Sequence, residues 1–220
     1  MDPSGVSAAA YTITNQVYTL GLVVMLAIQA TGATLVPNAL ASGGGGEGGG
    51  GEEAARRVSD RLITWSCMTA AGLALAQLIA MPFLTPIFTP LEEVRRAVAR
   101  PAAVSALVQL SNGPLFAGEG IMMGVGAFKE LAALTSVGIG VMVAGLTLSS
   151  RLGLGVASVW WSLLGFHLVQ LTGTMLFHLR FGPLARSRKK TVDGAESDAS
   201  VECVGPLPAV GEVCVVEKEE

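Results

Sequence analysis

The chain has 220 residues, of which 51% are hydrophobic and only 14% charged; soluble domains carry about 25% charged residues. A mean hydropathy of +0.57 agrees with an integral membrane protein. The net charge of -3, with no basic arm interleaved with aromatics, argues against a nucleic-acid partner.

About 20 apolar residues cross a hydrocarbon core as a helix. Five charge-poor runs are expected to do so here, which gives an all-α fold. The first, 8–41, lies in a stretch without charge between Asp2 and Glu47; it is too long for a cleaved signal and lacks the basic start of one. Asn15, Gln16, Gln29 and Asn38 on it suit a helix that faces protein or a wet cavity. Residues 42–60, SGGGGEGGGGEEAARRVSD, read as a flexible glycine-rich loop. No Lys follows these glycines, as a phosphate-binding loop would require.

The second run is 62–84, and the prolines of MPFLTPIFTP are expected to end its helix. LEEVRRAVAR then reads as a short amphipathic segment at the membrane interface, with Leu91, Val94 and Val98 on one side. Pro101 is expected in the first turn of the third run.

That run, 102–127, holds Glu119, the one acidic residue expected deep inside an apolar stretch, with no Lys or Arg in the same run. A carboxylate at bilayer depth costs about 2.5–3.5 kcal/mol on insertion scales and survives beside a wet cavity or a partner. Proton gain or loss, or exchange against Na+, would alter the charge this helix buries. Gln109 and Asn112 are candidates to line a cavity with it. Gly113, Pro114, Gly120, Gly124 and Gly126 are expected to weaken the helix, so that a bend differing between two states becomes accessible.

The fourth run, 131–150, contains Gly138, Gly140 and Gly145, which suit close packing and no site. The fifth, 156–179, is framed by Trp160, Trp161 and Arg180, as membrane boundaries are. His167 and Gln170, three apart, share a helical face and join the cavity candidates. Residues 185–220 read as a basic stop followed by a polar, disordered tail. Cys67, Cys203 and Cys214 form neither a disulfide framework nor a zinc spacing and read as free thiols. The runs hold no Ser/His pair, paired Asp motif or HExxH stretch, so neither an enzyme nor a metal or organic cofactor is expected.

Five spans put the two ends on opposite sides. Arg56, Arg57, Arg61, Lys129, Arg180 and the basic cluster up to Lys190 fall on one side, and Arg95, Arg96, Arg100 and Arg151 on the other. The richer side is expected to be cytoplasmic or stromal, with the C-terminus on it.

The succession ITNQVYTLGLVVMLAIQATGATLVPNALA, EEAARRVSDR, PFLTPIFTP, EEVRRAV and SNGPLFAGEGIMMGVGAFKEL resembles the C-terminal lobe of a multidrug and toxic compound extrusion (MATE) transporter over about 8–184. Its most specific part is Glu119, Gly120, Gly124 and Gly126. GPLFAGEGIMMG and WWSLLGFH are most similar to the plant and algal plastid-type branch. The resemblance implies a multi-pass protein of the plastid, plasma or vacuolar membrane that exports organic or xenobiotic molecules in exchange for H+ or Na+. It also implies that Glu119 belongs to the cation site. Family members have twelve helices in two lobes, and the five runs correspond to helices eight through twelve, most of one lobe. The N-terminal lobe, the seventh helix with its acidic residue and an Arg near Gln170 have no counterpart. A partial chain is therefore expected, with membrane lipid, a small organic substrate and either the missing lobe or a second copy as partners. The alternatives are a lipid-linked-substrate flippase of the same superfamily and a non-transporting membrane interaction protein.

Overall fold

The computed structural model describes residues 3–42 and 50–181, and every described element is a helix. The expected tail over 185–220, with Cys203 and Cys214, lies outside the described residues. So do the glycines between 43 and 49. The helices are α1 (Pro3–Ser42), α2 (Gly50–Phe88), α3 (Glu92–Gly124), α4 (Phe128–Arg151) and α5 (Ala157–Leu176), followed by a π-helical turn, Phe177–Phe181.

Side-chain contacts fix their directions. Ala10 and Ile13 of α1 pack with Val94, Val98 and Ala102 of α3, Tyr18 with Val104 and Val108, and Val36 with Ile121. The numbers climb together, so α1 and α3 run parallel. On α2 the order is reversed: Met81 joins the Val94 end, Gln77 meets Ser105, and Ala55 packs on Ile121. Trp160 of α5 sits against Val104 and Val108, while Thr174 faces Gly118, which makes α5 parallel to α3. Gly145 opposite Ser162 and Gly138 opposite Phe166 make α4 antiparallel to α5. Successive helices therefore alternate in direction.

Among the described residues four helices are long and apolar enough to cross a membrane: α1, α2, α4 and α5 with the turn that follows it. The expected fifth, α3, falls short on hydropathy although it has 33 residues. It has α1, α2 and α5 around it, so its polar side chains meet other helices rather than lipid. Running along the length of α1 and α2, it occupies the same slab as they do. Large apolar side chains on the outer faces, among them Leu20, Val23, Met68, Phe83, Ile87 and Val143, are exposed. Such a surface suits a lipid solvent.

Several boundaries differ from expectation. The segment 50–60, expected as loop, forms the first turns of α2. Glu52 and Glu53 occupy its first turn, and ion pairs Glu53–Arg57 and Arg56–Asp60, each 3.1 Å, brace it at i,i+4 spacing. Pro82 and Pro86 do not end α2, which continues to Phe88. Both rings are exposed, where each removes one helical hydrogen bond without meeting a packed neighbour. LEEVRRAVAR is no separate interfacial segment. From Glu92 it is continuous with α3 through Pro101, and Val94 and Val98 are buried. The helix stops at Gly124, and Gly126, at φ 76°, lies in the turn beyond it. The two tryptophans part company, since Trp161 is 55% exposed and fits a membrane boundary, whereas Trp160 is 2% exposed in the core.

The alternation gives a direct expectation. With the native cysteines replaced, Ser42→Cys and Arg180→Cys should react with an impermeant maleimide from one side, and Pro90→Cys and Gly153→Cys from the other. Labelling of Ser42→Cys and Pro90→Cys from the same side would overturn the arrangement.

Candidate functional site

One face of α3 is polar. Ser105, Gln109, Asn112 and Glu119 recur at spacings of four, three and seven, which places them in a single stripe along the helix. Three of them are fully buried. Ser105 Oγ accepts from Gln77 Nε2 of α2 at 2.5 Å. Asn112 Nδ2 donates to the Tyr18 hydroxyl of α1 at 3.2 Å and to Gln109 Oε1 at 3.3 Å. The Gln109 side chain lies directly over Gly21 of α1, where a methyl would stand 2.7 Å from its Nε2.

Glu119, half-buried, closes the stripe. Its Oε2 accepts a hydrogen bond from Gln29 Nε2 of α1 at 2.7 Å, the short distance of a charge-assisted contact. Among the described residues no Lys, Arg or His forms an ion pair with it. Its depth differs from expectation. Five residues, about 7.5 Å of helix, separate it from the end of α3, and Gly120 beside it is level with Leu62, the start of the apolar part of α2. Glu119 thus stands near one mouth of the bundle and not at its centre.

The centre is occupied by a second polar group. His167, 5% exposed, and Gln170, 3% exposed, are both buried on α5, and Gln170 Oε1 accepts from Thr135 Oγ1 of α4 at 3.3 Å. Trp160, two turns before His167, packs edge-on against Tyr18 with ring centroids 5.1 Å apart. Gln109 Nε2, Asn112 Oδ1, Trp160 Nε1 and His167 Nδ1 are buried without a hydrogen-bond partner among the described residues. Unpartnered donors and acceptors so placed favour a bound water or a polar guest. The sequence reading missed Tyr18, Gln77 and Ser105. Ser105 was signalled by the three-and-four spacing of polar residues on α3, whereas Tyr18 of α1 and Gln77 of α2 enter only through packing.

The other expected residues divide. Asn15 is half-buried, whereas Gln16 and Asn38 are exposed and do not join the stripe. Gly113, Gly120 and Gly124 serve close approach: a methyl on Gly113 would stand 2.5 Å from Ser66 O of α2, and one on Gly124 2.8 Å from Val36 Cβ of α1. Pro114 sits within unbroken helix. Having no N–H, it leaves the Leu110 carbonyl without its helical donor.

At the Glu119 end, a charged cluster unforeseen in the sequence fastens α5 to α2. His178 Nε2 and Asp60 Oδ1 are 3.0 Å apart. Arg56 Nε donates to Asp60 Oδ2, and Arg56 Nη1 to the His178 carbonyl, each at 3.1 Å. The carbonyl belongs to the π-helical turn, where the ladder loosens and carbonyls become available. Asp60→Asn is expected to lower thermal stability in detergent by about 1 kcal/mol, because Asp60 is partly exposed and such contacts are modest. An unchanged unfolding midpoint would remove the fastening role.

Among the described residues no group of His, Cys, Asp or Glu is arranged to hold a metal ion. The fold and its stripe define an all-α, membrane-embedded protein in which a carboxylate is shared between two packed helices. No protein family, characterised protein or solved structure matches the chain.

Proposed function

We propose that this chain forms one lobe of a cation-coupled antiporter of the MATE type, exchanging H+ or Na+ for a small organic molecule, with Glu119 as the coupling residue. The observation that carries the reading is the Gln29–Glu119 hydrogen bond, 2.7 Å long and joining parallel α1 and α3. Gln29 donates to the carboxylate. A proton or Na+ arriving on Glu119 competes with that donor, so the contact between the two helices depends on what the carboxylate holds.

Its position near one mouth supports exchange with one side of the membrane, and the buried polar atoms of Gln109, Asn112 and His167 that lack a partner among the described residues give the helices a polar interior. Alternating access rocks two opposed repeats around a site between them, and the described helices supply one of them. The decisive experiment reconstitutes the protein in vesicles with a complementary lobe, or at a density that lets two copies pair, imposes a pH or Na+ gradient and follows efflux of a fluorescent organic cation. Gradient-driven efflux supports the proposal. Movement of a lipid-linked substrate without organic-cation efflux would replace it with a flippase.

A further inference from the structure

We infer that the groove between the C-terminal end of α2 and the first turns of α3 is a binding site for an anionic phospholipid, its acyl chain along the apolar wall and its phosphate on Arg95 and Arg96. The inference is independent of the transport reading. The groove encloses about 460 Å3, within the ~300–1,000 Å3 of small-molecule sites. Its wall is made by Leu78, Met81 and Pro82 of α2 against Val98, Ala99 and Ala102 of α3, and Glu92, Arg95 and Arg96 stand at its charged end. The hollow follows from the sequence. Alanines at 99, 102 and 103 leave the α3 wall low, and the exposed ring of Pro82 leaves the α2 side open toward lipid.

Charge decides the occupant. Glu92 is shared by two guanidinium groups, with Arg95 Nη2 donating to Oε2 at 2.6 Å and Arg96 Nε to Oε1 at 3.1 Å. One carboxylate cannot satisfy two arginines, each with five N–H donors. Arg95 Nε is buried and has no acceptor among the described residues. The first turns of α3 carry Arg95, Arg96 and Arg100 against Glu92 and Glu93, which leaves them cationic. A free anion would leave the apolar wall unused, and a neutral alkyl chain would leave Arg95 Nε and the guanidinium donors beyond Glu92 without an acceptor. An anionic phospholipid satisfies both, and the charged end lies where α2 gives way to α3, at the edge of the apolar slab.

The test is native mass spectrometry of the full chain in mild detergent with equal phosphatidylglycerol and phosphatidylcholine. The wild-type chain should retain phosphatidylglycerol preferentially and be thermally stabilised by it. Binding should fall roughly fivefold for each arginine removed in Arg95→Gln and Arg96→Gln. Ala99→Leu, which fills the groove and leaves the arginines in place, should also release the lipid. Equal retention of the two lipids by the wild-type chain would overturn the site. An unchanged preference in the double arginine variant or in Ala99→Leu would do the same, as would displacement of the lipid by equimolar inorganic phosphate. Stabilisation of the wild-type chain by phosphatidylglycerol over phosphatidylcholine keeps the test decisive if a variant does not fold.

Discussion

In a transporter completed by a second lobe, Glu119→Gln is expected to reduce cation-driven efflux to background, a loss of about tenfold or more, while the protein inserts and unfolds as the wild type does. The substitution keeps the size of the side chain, and its amide oxygen still accepts from Gln29, so the α1–α3 contact survives. Only the ionisable charge is gone. Coupling therefore fails where packing does not. Glu119→Asp should retain part of the flux, because the charge persists one methylene further from Gln29, whose Nε2 is 2.7 Å from Oε2 in the native pair. Gln29→Leu should shift the cation dependence without abolishing it, since the carboxylate loses a donor that competes with the ion. Efflux must be read at equal membrane abundance, with thermal stability measured in parallel. Wild-type coupled efflux in Glu119→Gln would dismiss the coupling role.

The helices were legible because their signal is local. A charge-free run of about 20 residues has few other fates than a span, and α1, α4 and α5 begin and end within a few residues of the expected limits, apart from the early start of α1. Where neighbours decide, local signals misled. Pro82, Pro86 and Pro101 looked like punctuation, yet each sits inside a helix; a proline removes one bond, and a helix held by tertiary packing tolerates that loss. Glu92 and Arg96 on an amphipathic stretch suggested a separate element, but Val94 and Val98 tie it to α1 and α2 as the start of α3.

The site was legible in part for the same reason. Glu119 stands out in the sequence because nothing nearby neutralises it, but its partner Gln29 lies 90 residues away, and spacing along the chain carries no trace of that pairing. Gln16 and Asn38 are as polar as Gln29, and only the rotation of α1 against α3 decides which of the three turns inward. The Arg56–Asp60–His178 cluster was invisible on similar grounds, its halves being 118 residues apart at the Asp60–His178 contact.

Gly120→Ala is expected to destabilise the protein by about 3 kcal/mol, the upper end of the ~1–3 kcal/mol seen when a packed interior is overfilled. A methyl there would collide with the Gln29 carbonyl oxygen and stand 3.1 Å from both Gln29 C and Gln29 Cα. All three are backbone atoms, which no change of rotamer can move aside, so α1 itself must withdraw from α3. Small residues are what allow membrane helices to approach this closely. The same retreat carries the Gln29 side chain away from Glu119, so the variant should lose stability and coupled efflux together, whereas Glu119→Gln loses efflux alone. Gly140→Ala is the matched control: nothing lies within 4 Å of its added methyl, and a helical glycine replaced by alanine gains up to ~1 kcal/mol. Retention of the folded peak on size-exclusion chromatography after heating in detergent ranks the variants. If Gly120→Ala survives heating as well as Gly140→Ala, the α1–α3 approach is looser than this geometry requires, and the hydrogen bond between Gln29 and Glu119 loses its structural support.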